Sequence, residues 1–480
     1  MTTAFPQTMD FTGHNMPSRV ECDVYDLVVS GTIPAEIGGT WFRMTADPQY
    51  PPMLGHDTYL SGDGMISAFR FENGHVDLKQ RYVQTERLRS ERAARRSLYG
   101  LYRNPFTDDA SVRGKDRGTN NTTPLWHGGR LLALKEDCLP VELDPHSLET
   151  IGRWNYDGKL KSQTMTGHPR LDPESGELLF YGFEAGGLAS RDVAFCVADR
   201  EGTLRREVWF QAPYCSMMHD FAATKEHVIF PVFPTTADLE RISAGGPHWI
   251  WESDKESFIG IMPREGAASD LRWFRGPARS AYHFMNAYTE GPHVYMDFSV
   301  RTANPFAFIR EAGNVKLRPE EIRGNFVRWS FDLSKPGTGW DEYVLGPGGD
   351  MPRVAEKDRL VGYDVGYYQR FDPQCGPPLI AGPVGAGFNT ITRIEVQSGK
   401  TKNYVAGPRH TVQEHVHIPS QKPDHEGYLM FVVDLHDERL SEIQLLEAAS
   451  IERGPIARVE VPLRLRAQEH GTWVPQEQLS

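Results

Sequence analysis

Asp172-Pro173-Glu174-Ser175-Gly176-Glu177-Leu178-Leu179-Phe180-Tyr181-Gly182-Phe183 carries the pattern that decides the fold. A turn rich in Asp, Pro, Ser and Gly runs straight into an aromatic-rich segment of strand length. The texture repeats in both directions. Residues 82–83, 131–134, 228–233, 293–300 and 428–435 are compact runs rich in β-branched or aromatic residues. Glu72-Asn73-Gly74, Asp199-Arg200-Glu201-Gly202 and Gln397-Ser398-Gly399 supply the hairpin chemistry between such runs. Strands and turns at this spacing across the whole chain predict an all-β fold, whether barrel, sandwich or propeller. No strict repeat is visible, so periodicity does not choose among them. Helical signal is sparse. It lies at 85–98 and at 318–323, the latter opening with Pro319-Glu320-Glu321. No linker or low-complexity segment interrupts the chain, so 1–480 reads as one domain.

Composition agrees with a well-packed globular protein. Hydrophobic residues make up 39%, and there are 45 glycines and 34 prolines, enough for an ample core and many turns. A formal charge of −12 disfavours a general nucleic-acid binder, which needs a basic face. No stretch approaches the roughly 18 apolar residues of a membrane span, and the first residues show no export signal. Integral membrane association is therefore not expected. The five cysteines, Cys22, Cys138, Cys196, Cys215 and Cys375, are scattered without a CxxC pair. They fit a reducing cytoplasm and exclude a disulfide framework or a thiolate zinc site.

The chemistry lies among the 17 histidines. Four sit in distinctive settings: Thr166-Gly167-His168-Pro169, Met218-His219-Asp220-Phe221, Tyr282-His283-Phe284-Met285 and Glu469-His470-Gly471-Thr472. Singly, each is weak, because a histidine beside apolar residues is more often a satisfied core residue. Their spread demands an architecture that brings distant segments together, unlike local zinc motifs. His415 and His417 are two apart and could share a strand face as a zinc pair. With no third ligand nearby, strand-surface histidines are the better reading.

With these settings in order, the chain resembles the carotenoid cleavage oxygenase family over nearly its whole length. Gly31-Thr32-Ile33-Pro34, Gly39-Thr40-Trp41-Phe42-Arg43, Gly62-Asp63-Gly64-Met65 and Leu143-Asp144-Pro145 add to the likeness. The resemblance implies a seven-bladed β-propeller with a helical or loop cap that includes about 85–120. It implies one Fe(II) per chain, held by His168, His219, His283 and His470, with O2 as cosubstrate. Imidazole is a good ligand for Fe(II). Four neutral imidazoles leave a net double-positive site that can use O2 without an organic reductant. Carboxylates that accept the outer imidazole N–H are implied at Glu136, Asp350 and Glu414. Asp350 stands where the family has glutamate. It is one methylene shorter, so either the backbone moves closer or a water bridges.

Within the family the chain looks most like the bacterial lignostilbene dioxygenases. Tyr102 and Lys135 match residues that contact the substrate 4-hydroxyl group there, and Tyr59, or Leu60 in the alternative register, falls where a phenylalanine usually packs on the ring, so Tyr59 is a departure. An ammonium beside a phenol favours phenolate, which makes the conjugated alkene electron-rich. The plainer readings are a strand-edge lysine and a packed loop aromatic. Tyr282, Phe284, Phe306 and Phe308 are candidates to wall a flat tunnel, with Phe306 assigned to the substrate. Arg87, Arg89, Arg92, Arg95 and Arg96 form either a solvated helix face or a guide for anionic phenols. The implied reaction splits the central C=C bond of a 4-hydroxystilbene into two aromatic aldehydes. The expected partner is a small phenolic stilbene, in a cytoplasmic protein whose relatives are often dimers. Carotenoid or apocarotenoid cleavage stays open, as does a non-oxygenase role as isomerase or scaffold.

Overall fold

A computed structural model describes residues 4–312 and 324–479. The expected helix at 318–323 lies outside the described residues. The chain divides into two compact units: one comprises 1–155, 369–393 and 402–480, the other 156–368 and 394–401.

In the first unit, a five-stranded sheet runs in the order Cys22–Val24, His75–Tyr82, Gly64–Glu72, Gly39–Ala46 and Gly471–Pro475. Its central hairpin is closed by Asn73 and Gly74, both at positive φ (52° and 84°), as a tight type I′ turn requires. The partner of Gly39–Ala46 comes from the far end of the chain, with Arg43 opposite Gly471. This pairing carries His470 to the end of a fully buried strand. A four-stranded meander, Thr123–His127, Arg130–Leu134, Val141–Leu143 and Thr150–Arg153, follows. A six-stranded sheet centres on Tyr428–Leu435 and Leu440–Glu447.

The second unit holds three four-stranded sheets, built around Leu178–Phe183, His227–Val232 and His293–Val300. A small sheet of Thr235–Thr236, Ile250–Trp251 and Arg310–Glu311 includes one parallel pair. A further four-stranded sheet runs in the order Asp350–Val354, Val365–Arg370, Thr390–Glu395 and Lys400–Val405. Seven sheets of four or more strands thus stand among the described residues, the number that a seven-bladed propeller needs.

Strand composition follows position. Leu178–Phe183 is buried at every residue, because both of its faces pack, whereas the outermost strand of that sheet, Leu204–Gln211, is mostly exposed or half-buried. Apolar side chains gather into separate cores in each unit, one around Trp41, Phe69 and Met430, another around Phe284, Phe298 and Trp329.

The helix expected at 85–98 is shorter, Glu86–Ala94. Thr85 caps it by accepting from Leu88 N, and Arg95 ends it in the left-handed region at φ 55°. Its arginines are not one solvated face. Arg87 is buried, with its guanidinium 5.1 Å over the Tyr99 ring and 3.9 Å from Glu91. Arg92 and Arg96 pair with Glu21 and Asp109. His415 also departs from expectation. It lies just before the strand Val416–Ile418 and is fully buried, so it is a core residue rather than a surface one. His417 is half-buried, and its Nε2 lies 2.7 Å from the Glu426 carbonyl.

Candidate active site

In the second unit three of the predicted histidines converge. His168 Nε2 lies 3.0 Å from His219 Nε2, which lies 3.1 Å from His283 Nε2. All of these ring nitrogens fall within 4.8 Å of one another. Imidazole nitrogens about 2.1 Å from an ion would be about 3.0 Å apart at right angles and about 3.4 Å apart in a tetrahedron. The observed edges fit right angles. Nitrogens this close could share one ion, and imidazole donors suit Fe(II).

The three histidine segments are tied together by one carboxylate. Asp220, next to His219, accepts from Arg170 Nη2 on both carboxylate oxygens, at 2.8 and 2.6 Å, and from the Phe284 N–H at 2.9 Å. Arg170 is two residues beyond His168 and Phe284 one beyond His283, so a single buried aspartate ties all three segments together. Asp220 was missed in the sequence because its partners are remote in the chain. The only signal is its place inside the His219 motif.

His283 Nδ1 meets Asp350 Oδ1 at 2.7 Å. The shorter side chain therefore makes direct contact without a bridging water. Met351, at φ 53°, turns the backbone there and donates its N–H to the same oxygen at 3.0 Å. Burial acts to raise the Asp350 carboxyl, but the neighbouring His283 imidazole and Arg301 guanidinium outweigh it and hold it well below the usual carboxylate range. The His283 proton then belongs on Nδ1, leaving the Nε2 lone pair for the cluster.

Aromatic rings flank the cluster. Tyr282 stands edge-on to His219 at 5.7 Å, and Phe306 packs edge-on to Tyr282 at 4.5 Å. Phe308 follows at 5.4 Å from Phe306. Asn304 fixes Tyr282 by donating to its hydroxyl at 2.8 Å.

In the first unit, His470 is buried and its Nδ1 lies 3.0 Å from Glu414 Oε1. Glu414 Oε2 accepts the Gly471 N–H at 2.8 Å and the Gln468 amide at 3.3 Å. Lys135 is only 4% exposed. Its ammonium donates to the Leu60 carbonyl and to Asn121 Oδ1, both at 3.1 Å, and lies 5.3 Å over the Tyr102 ring. Burial, reinforced by the charge of Glu136, lifts the Tyr102 phenol well above the usual tyrosine value. Glu136 is itself buried, 3.7 Å from the Arg103 guanidinium. Tyr59 is fully buried, with Arg466 stacked 4.1 Å over its ring and its hydroxyl donating to the Ala467 carbonyl. At this point it is the neighbouring Leu60 whose backbone meets Lys135.

Comparison with known proteins places the chain in a family. The family model described as retinal pigment epithelial membrane protein (RPE65) matches residues 15–475. An isoeugenol monooxygenase of Pseudomonas nitroreducens is 40% identical, over 96% of this chain and 97% of its own length. The lignostilbene-alpha,beta-dioxygenase isozyme III of Sphingomonas paucimobilis is 37% identical, over 99% of both. The crystal structure of Pseudomonas brassicacearum lignostilbene dioxygenase superposes with a TM-score of 0.94 at 40% identity, covering 99% of this chain and 100% of that one. A cobalt-substituted Synechocystis ACO, at 22% identity and a TM-score of 0.82, covering 96% of this chain and 97% of that one, shares the fold. With a family model spanning almost the entire chain and relatives this similar end to end, the protein belongs to the RPE65/carotenoid cleavage oxygenase family.

Proposed function

We propose that this protein is an Fe(II) dioxygenase that cleaves the central double bond of a 4-hydroxystilbene into two aromatic aldehydes. Cleavage of a C=C bond is the coarser statement that family membership supports; the phenolic stilbene is the finer one. Each alkene carbon takes one oxygen atom of O2, so one stilbene and one O2 balance two aldehydes. His168, His219, His283 and His470 would hold the iron, which supplies the redox chemistry that lets O2 react with an alkene. Glu136, Asp350 and Glu414 would orient the imidazoles.

The observation that carries the substrate reading is the buried Lys135 ammonium. It has three N–H donors and gives two of them to neutral oxygens, Leu60 O and Asn121 Oδ1. The third would go to the substrate phenolate, whose formation a buried cation favours. Tyr102, held protonated by burial, would donate a second hydrogen bond to the same oxygen. The phenolate would then push electron density into the alkene. Phe306 and Tyr282 would offer flat apolar contact to the second ring. Tyr59 would act from behind, supporting the wall through its packing. The isoeugenol, lignostilbene and resveratrol named for the relatives all carry a 4-hydroxyphenyl group conjugated to an alkene.

The 40% identity to isoeugenol monooxygenases favours a second reading, a 4-hydroxyphenylpropene as substrate. Turnover of 4-hydroxystilbene, its 4-O-methyl ether, isoeugenol and an apocarotenoid, with products identified by mass, separates the two. The free stilbene should be the best substrate, and Lys135→Met should lower its kcat/KM at least about 100-fold. Indifference to the methyl cap or to Lys135→Met, or a preference for the apocarotenoid, would refute phenol recognition. A preference for isoeugenol would move the assignment to the second reading. A product without added oxygen would refute the oxygenase itself.

A further inference from the structure

Arg43 is fully buried in the strand Gly39–Ala46. It lies at the middle of a chain of side chains, none more than 5% exposed. Its Nε donates to Gln468 Oε1 at 2.6 Å, and its Nη2 donates to Gln413 Oε1. Gln468 Nε2 donates onward to Glu414 Oε2 at 3.3 Å, and Gln413 Nε2 to Asp434 Oδ1 at 2.6 Å. Each arm ends on an imidazole. His470 Nδ1 lies 3.0 Å from Glu414, and His14 Nδ1 lies 3.3 Å from Asp434.

The chemistry of these groups leaves one arrangement. A guanidinium donates and never accepts, and an ionised carboxylate accepts and never donates. A glutamine between them must turn its oxygen to the arginine and its NH2 to the carboxylate. Glu414 Oε2 is then filled by Gln468 and the Gly471 N–H, which leaves Oε1 for His470. The His470 proton is thereby placed on Nδ1, and the Nε2 lone pair faces away from the carboxylate. A glutamine without the arginine could turn its oxygen toward Glu414 and loosen that carboxylate.

We propose that Arg43, acting through Gln468 and Glu414, is a positioning residue that sets the tautomer and ring orientation of His470 as an iron ligand. The inference rests on His470 being a ligand, as proposed above. The second arm serves as a control, because it ends on His14, outside the ligand set, and meets the first arm only at Arg43 and where Gln413 Oε1 also accepts the Gln468 N–H at 2.9 Å.

Gln468→Met and Gln413→Met each cut one arm while keeping the side-chain volume. Anaerobic Fe(II) titration and the visible spectrum of the Co(II)-loaded protein report on the metal site, and thermal melting reports the structural loss. Gln468→Met should weaken Fe(II) binding about tenfold and alter the Co(II) spectrum. Gln413→Met should stay within about twofold of wild type in affinity and keep its spectrum, although both variants lower the melting temperature. Wild-type affinity and spectrum in Gln468→Met, or the same change in both variants, would overturn the proposal. Should Gln468→Met not fold, Arg43→Lys and Arg43→Gln replace it. The donor-only lysine should retain the wild-type Co(II) spectrum and the glutamine should not; identical spectra would overturn the proposal. A wild type that takes up no iron would remove the metal reading, and this inference with it.

Discussion

His283 and His470 both hand Nδ1 to a carboxylate, yet the two carboxylates live in different company. Asp350 meets His283 at 2.7 Å while the Arg301 guanidinium sits 3.1 Å from its other oxygen. Glu414 meets His470 at 3.0 Å, and its other oxygen is served by a backbone N–H and a neutral amide. The nearest cation in that chain, Arg43, is one glutamine away. A guanidinium in direct contact draws more charge from a carboxylate than an amide does. On this ground Glu414 is expected to be the stronger acceptor for its imidazole, although the Asp350 contact is the shorter, 2.7 against 3.0 Å. How strongly a carboxylate can polarise its imidazole is expected to depend less on its identity than on what competes for it.

The sharpest way to break this comparison is to remove both charges separately. Glu414→Gln should lower kcat/KM about 100-fold and Asp350→Asn about tenfold, with iron content measured alongside; equal losses would end the distinction. A smaller effect should come from Arg301→Met, which strips the competing cation from Asp350. Melting should report a loss of about 1–2 kcal/mol, less than for a fully buried pair, with iron affinity at least as high as wild type. A drop in affinity would mean that Arg301 orients Asp350 rather than competing with His283.

The smallest effect is a pH dependence at the far end of the Asp434 arm, where the His436 ring lies 4.1 Å from that of His14. Burial, with the charge of His14 adding, lowers His436 from 6.5 to about 4. The unfolded chain therefore takes up this proton first as pH falls, so the group's contribution to stability is full above 6.5 and lost progressively toward 4. The melting temperature should decline across that interval, and His436→Gln should flatten the decline. An unchanged slope would remove His436 from the network's energetics.

Much of the fold was legible because turn chemistry is local. Asn73-Gly74 adopts the positive φ values its residue types favour, and 178–183 and 293–300 are strands where the apolar runs stand. The helix at 85–98 was placed but overrun, because Arg95 takes a left-handed conformation that composition does not announce. His168, His219 and His283 were legible from their motifs, although 51 and 64 residues separate the pairs that touch. Asp350 was placed despite its departure from glutamate, and direct contact rather than a water bridge was decided by the turn at Met351. His415 was misread as a surface residue because period-two spacing says which residues share a face, not which face is covered.

By itself, then, the amino-acid sequence determined the strand-and-turn pattern, the family, and a supply of neutral nitrogen donors and carboxylates suited to ferrous iron. Tertiary structure alone decided which of them meet. Asp220 binds Arg170 and Phe284 across 50 and 64 residues, and Arg43 reaches Gln468 across 425. Local propensity acts over a few residues and is written in residue types. Hydrogen-bond polarity inside a buried chain depends on which donor faces which acceptor, and that is set only when distant strands pair.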